Sequence, residues 1–191
     1  MTWIETIAPQ DAEGVLREAY DWQARKLGEP TTFTQLGSLY PELVLERLKL
    51  YKVVEGSGSG LTKAERALAA FVTSARNQTP HCSSGLRLQL GEFGVDPGLV
   101  ARIWAGEAEG SVSGDPRIDA ILTYSGKLTS APGSIAEDDI QQLRDAGLSD
   151  LDIVDLNNLV AYYNYVNRVA NGLGLLEEVG SLHEALESVP E

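Results

Sequence analysis

His81 and Cys82, adjacent within RNQTPHCSSGLRLQL at residues 76–90, are the side chains best suited to do chemistry. Cys82 is the only cysteine and His81 one of two histidines. A thiol beside an imidazole suggests redox or nucleophilic chemistry, provided the thiol ionises, because the thiolate is the nucleophile. Pro80 suits the first position of a helix and Thr79 its N-cap. Cys82 then becomes the third helical residue, where free backbone N–H groups and the positive helix end favour a thiolate. An ordinary thiol of pKa ~8.5 is about 3% ionised at pH 7, and a fall of one would bring that to roughly a quarter. Neighbours in sequence do not face each other on a helix, so His81 is poorly aimed to take the Cys82 proton.

Other chemistries have less to work with. A metal needs a cluster of ligands, whereas His81-Cys82 is a single adjacent pair and His183 lies about a hundred residues away, so no metal is expected. No cofactor is expected either. Ser83 and Ser84 lack a base at the spacing of a nucleophile motif and read as surface or packing residues. The GSGSG run lacks the strand-turn-helix context and the Lys-Ser/Thr ending of a phosphate loop.

The elements that position these residues are helices. Asp11 is placed to cap a helix carrying Val15, Leu16, Ala19, Tyr20 and Gln23 that stops near Gly28 and Pro30. Pro41 opens another, with Leu43, Val44, Leu48 and Tyr51 at helical spacing. EGSGSG at 55–60 reads as a flexible joint between helices rather than between domains. Thr62 and Glu65 match a capping box for a helix with Leu68, Phe71, Val72 and Ala75 on one face. Asp96-Pro97 and Asp115-Pro116 repeat the start signal, and Ser134 with Glu137 forms another capping-box match, its helix closed by Gly147. Ser149 starts the longest helix, running to about Gly172. Along it Leu156, Leu159, Tyr163, Val166, Ala170 and Leu173 form a heptad-like seam. Asn157, Asn164, Arg168 and Asn171 line a second, polar stripe, read as a solvated or subunit-bridging face. The expected architecture is one all-α domain over 1–191 with about seven or eight helices.

Bulk properties narrow the functional classes. The chain has 191 residues, 43% hydrophobic and 23% charged, with a formal charge of −13. That charge repels phosphate backbones and anionic lipid, so neither nucleic acid nor a membrane surface is an expected partner. A lone cysteine forms no intrachain disulfide, the first residues lack a secretory pattern, and no apolar run is long enough to span a bilayer. The cytoplasm is the expected location.

Three stretches carry a resemblance. LTKAERALAAFVTSARNQTPHC resembles the core motif of the alkylhydroperoxidase D-like proteins, in the carboxymuconolactone decarboxylase superfamily. DPRIDAILTYSGKLT and AGLSDLDIVDLNNLVAYYNYVNRVANGLG resemble the downstream helices of its peroxidase-related branch. The resemblance implies an all-α fold assembling into homo-oligomers such as dimers, trimers or hexamers. It also implies a Cys-x-x-Cys pair that reduces peroxides, with a glutamate and a histidine relaying protons.

Matched position by position, the second cysteine falls on Cys82, and a preceding histidine found in some members falls on His81. The first cysteine falls on Thr79, the glutamate on Ala67 and the relay histidine on Leu86. Glu65 is about 200° around the helix from Ala67 and should point away from the site. Arg87, one step past Leu86, accepts no proton. The two-cysteine cycle therefore cannot run within this chain, and Cys82 and His81 remain the catalytic candidates.

Three functions follow. The first is an antioxidant protein that reduces peroxide through Cys82 alone, the sulfenic acid being resolved by an external thiol. The second is a cysteine-independent lyase of the decarboxylase type acting on a small organic acid, with Tyr124, Tyr162, Asn164, Asn167 and Arg168 as pocket candidates. The third is a catalytically inactive oligomer that binds a ligand or partner. Fold alone does not choose among them.

Overall fold

The computed structural model describes residues 2–56, 58–177 and 179. Among these the elements are α-helices and two single 3-10 turns, so the expected all-α class is what the chain adopts. Two compact units are distinguished, one of residues up to 57 with Val169–Leu176, the other of residues 58–168 with those from Glu177 on. The division falls inside the Gly/Ser stretch read as a joint between helices.

In the first unit, Asp11 caps nothing: it ends a 3-10 turn over Pro9–Asp11, and α1 (Gly14–Leu27) begins three residues later. Gly28, at φ +85°, closes α1 in a conformation that glycine adopts without a Cβ penalty. Leu16, Ala19 and Tyr20 face inward, and the Tyr20 hydroxyl donates to the Ile7 carbonyl at 2.8 Å. A short α2 (Thr32–Leu36) was not expected. The Thr31 hydroxyl caps it by accepting the Thr34 N–H. α3 (Pro41–Glu55) packs Val44, Leu45 and Leu48 against Ala19 and Trp22, while Leu43 and Tyr51 face out.

The second unit holds α4 (Lys63–Arg76), α5 (Pro80–Glu92), α6 (Pro97–Trp104), α7 (Pro116–Ser130), α8 (Glu137–Asp145) and most of α9 (Asp150–Gly172). The Thr62–Glu65 capping box forms, each side chain accepting the other residue's N–H. α4 is the central element: all ten residues from Glu65 to Ser74 are buried, and it packs against α5, α6 and α7. Asp96 and Asp115 cap α6 and α7 as expected. The start of α8 differs. Ser134 belongs to a 3-10 turn, α8 begins at Glu137, and Asp139 supplies the capping carboxylate by accepting the Ala136 N–H at 2.7 Å. At α9, the Ser149 hydroxyl accepts the Asp152 N–H and Asp152 accepts the Ser149 N–H, a reciprocal cap that fixes the start.

Several charged side chains are buried and paired within the second unit. Arg66 and Asp155 form an ion pair with side chains 9% and 6% exposed. Glu65 accepts Arg117 Nε at 2.5 Å. Asp155 also accepts the Ser59 hydroxyl, and Asp152 the Gly60 N–H, both at 2.5 Å. The far end of the Gly/Ser stretch is thus pinned to α9 by two carboxylates. Burial acts to raise the Asp152 carboxyl, but hydrogen bonds from Ser149 and Gly60 outweigh it and hold the group below its usual range.

Candidate functional site

The α4–α5 junction presents the motif positions. α4 ends at Arg76, Gln78 takes a left-handed φ of +50°, and the Thr79 N–H donates to the Ser74 carbonyl. Thr79 occupies the N-cap position of α5 but its side chain makes no capping bond. The residue is fully buried, its hydroxyl 3.5 Å from the Asn77 carbonyl. Cys82 is the third residue of α5, as the Thr-Pro signal implies.

Two effects compete at its sulfur. The helix start stabilises an anion by roughly 0.3–1 kcal/mol, and by at most about 2 kcal/mol in partly buried geometry. Desolvation works against the anion and pushes the thiol from an ordinary 9.0 up to about 12. That rise corresponds to roughly 4 kcal/mol, so burial wins and Cys82 is a protonated thiol at neutral pH.

His81 is also governed by burial, which lowers its pKa despite a bond to the Glu177 carbonyl. Its Nδ1 lies 3.0 Å from that oxygen, and a carbonyl only accepts, so Nδ1 carries the proton and Nε2 is the basic atom of the neutral ring. Two residues past Cys82, the Ser84 hydroxyl accepts the Val179 N–H at 2.8 Å while donating to the His81 carbonyl at 3.0 Å. The Val179 side chain closes over Gly85. Glu177 and Val179 therefore cover the turn that carries Cys82. Ser83 and Ser84 are both 3% exposed, so they are packing residues and not surface ones.

Ala67 and Leu86, the residues that the resemblance matches to relay positions, lie in hydrophobic core. Ala67 and Leu86 are 5% and 4% exposed and belong to one apolar cluster with Leu68, Phe71 and Leu90. Glu65 points away from them to Arg117, in line with its helical angle. No acid or base occupies either relay position.

The five pocket candidates are each engaged with other groups of the protein. Asn164 Oδ1 accepts from Asn77 Nδ2 at 2.9 Å and from Arg168 at 2.6 Å, while its Nδ2 donates to Thr129 and to the Val160 carbonyl. An amide has two donors and two acceptor sites, so Asn164 is saturated by the protein itself. Asn167, fully buried, trades hydrogen bonds with Ser74. Tyr124 donates to Asn157 at 2.9 Å, and burial followed by the Asp139 charge raises its pKa. Tyr162, 6% exposed, stands edge-on to Tyr163. Asn164 and Arg168 of the five are bonded to each other. The polar stripe read as solvated thus turns at Asn157 and Asn164 toward α7 and α4.

Sequence reasoning missed Ser74, Asn77 and Thr129 as partners of this network. The available signal was matched spacing: Ser74 on α4 and Asn77 at its C-cap are three apart, as are Asn164 and Asn167 on α9. Among the described residues no three His, Cys, Asp or Glu side chains gather as a metal site, and His183 lies outside them. No helix among them is long and apolar enough to cross a membrane.

The helical frame has an alkylhydroperoxidase D-like fold. Its likeness to solved structures is extensive and its sequence identity low. An uncharacterized peroxidase-related protein from Ralstonia eutropha JMP134, described as an alkylhydroperoxidase AhpD core, matches with a TM-score of 0.79 at 22% identity, covering 92% of this chain and 91% of that one. A peroxidase-related protein from Silicibacter sp. TM1040 matches with a TM-score of 0.74 at 24% identity, over 90% and 89% of the two chains. The debrominase Bmp8, solved with 2,3,4-tribromopyrrole, matches with a TM-score of 0.75 at 13% identity, over 100% and 98%. Neither a family model nor a curated protein matches the chain.

Proposed function

We propose that this chain is a peroxidase-related protein in which the thiol redox site has been converted to packing, leaving a helical binding protein without peroxide turnover. The observation that carries this reading is the joint state of four positions. Thr79 has no thiol, Ala67 and Leu86 sit in one apolar cluster, and the Cys82 thiol is pushed up to about 12. A Cys82 thiol held protonated to that extent is a weak nucleophile, and the base and resolving thiol that would compensate are missing from their positions. The lyase reading loses support for a related reason: Asn164 and Asn167 spend their hydrogen-bonding capacity on protein partners. The neighbour named as a debrominase supports this view of the fold as a frame that carries more than one chemistry.

The test is consumption of hydrogen peroxide and of an organic hydroperoxide in the presence of dithiothreitol, compared with Cys82→Ser. The two proteins are expected to match. Thiol-dependent turnover that disappears in Cys82→Ser overturns the reading.

One observation favours a second reading, one-cysteine peroxide reduction: Cys82 lies in the first turn of α5, where no side chain caps the helix. In that reaction the Cys82 thiolate attacks the peroxide O–O bond, giving a sulfenic acid and releasing an alcohol or water. One external thiol then displaces water to form a mixed disulfide. A second releases Cys82 as the thiol, with an external disulfide as product. The assay separates the two readings directly.

A further inference from the structure

We infer that the chain following Leu176 is a latch on the first turn of α5: seated there through Glu177 and Val179, it shields Cys82, and its removal unmasks the thiol. Three adjoining positions of α5 receive it. His81 Nδ1 donates to the Glu177 carbonyl at 3.0 Å, the Ser84 hydroxyl accepts the Val179 N–H at 2.8 Å, and the Val179 side chain stands over Gly85. Positions 81, 84 and 85 are three and four apart, so they share one face of the helix. Both hydrogen bonds use main-chain groups of the tail, two residues apart, and so fix its path across that face.

Gly85 shows what the approach of the tail requires. It lies in the interior of α5, where glycine destabilises a helix relative to alanine, and its backbone is not in the left-handed region that would call for glycine. The atoms that a Cβ at 85 would meet are those of Val179, at 3.7 and 4.0 Å. A longer side chain there would take the place that Val179 fills. Helical side chains lean back over the preceding turn, so that place lies over His81 and Cys82. Cys82, three residues before Gly85, is also its neighbour on the helix surface. Val179 therefore borders the half-buried thiol. Burial is what keeps Cys82 protonated, so a segment that supplies part of the burial governs the sulfur without reacting itself. A protease or a partner that takes up the tail would release the thiol from that control. The inference holds whether or not Cys82 reduces peroxide, because its readout is alkylation.

The test compares iodoacetamide labelling of Cys82 in the full chain, in a chain ending at Leu176 and in full-length Ser84→Ala, with circular dichroism and the urea midpoint measured alongside. A chain ending at Leu176 loses the latch and keeps every residue of the first unit. It is expected to label at least about tenfold faster at pH 8, and its rate to level off near pH 9 while that of the full chain still climbs. Ser84→Ala removes the acceptor for Val179 and places a good helix former in α5. It is expected to label faster by a smaller factor. Equal labelling of the full and shortened chains overturns the inference. Where the shortened chain loses its helical signal, Ser84→Ala decides: a rate equal to that of the unmodified protein overturns the inference, and a faster one at an unchanged urea midpoint upholds it.

Discussion

Cys82 shows how two local effects on one thiol can oppose each other, the helix start favouring its anion and burial disfavouring it. Its position in the first turn of α5 follows from Thr79-Pro80 alone. Whether that position acidifies the thiol depends on solvent, which the motif does not record. With the thiol at about 12, its thiolate fraction at pH 8 is on the order of a thousandfold below that of a free cysteine. Iodoacetamide is therefore expected to label native Cys82 that much more slowly than the urea-unfolded chain, and the native rate should climb tenfold per pH unit between 8 and 10. A native labelling curve that levels off below pH 9 contradicts this. His81 is set by the same covering segment. Its imidazole is neutral because it is desolvated, and its tautomer is fixed by a carbonyl that lies 96 residues away in sequence.

At the scale of elements, the starts of α4, α6 and α7 were legible, those of α1 and α8 were misplaced, and helix partnerships were not legible. Proline at the first turn with Asp96 or Asp115 before it, and the Thr62–Glu65 reciprocal cap, are local signals that the structure reproduces. α2 was missed because five residues give too short a window for periodicity, and its only cue is Thr31 bonding Thr34. The pairing of Arg66 with Asp155 was not legible, because burial is a property of what packs beside a residue. They join α4 to α9 near the start of α4, and Ser74–Asn167 and Asn77–Asn164 join them near its end, so the two helices run in the same sense. Asp155→Ala leaves the Arg66 guanidinium without its carboxylate and releases Ser59. It is expected to cost about 3–5 kcal/mol in urea unfolding, with Arg66→Met added to Asp155→Leu recovering most of that loss. Equal losses in the single and double variants would refute a charge-burial origin.

For the molecule as a whole, acid should act in two stages. His81 is lowered in the folded state, so its contribution is full above 6.5 and is lost as pH falls below that value. Asp152 and Asp139 are held below their usual range; their contributions are present above about 3.9 and vanish as pH drops through the folded values. The urea midpoint is expected to decline mildly from pH 7 to 5 and steeply below 4, with the steep part reduced in Asp152→Asn. A midpoint that holds constant down to pH 3 rules this out. A chain with a single half-buried thiol that reagents attack slowly while the fold is intact also offers a readout of ligand binding. Any metabolite that tightens the fold will slow the uptake of label, so a compound library read by mass spectrometry at that one sulfur can search for the natural ligand with no assumption about a reaction.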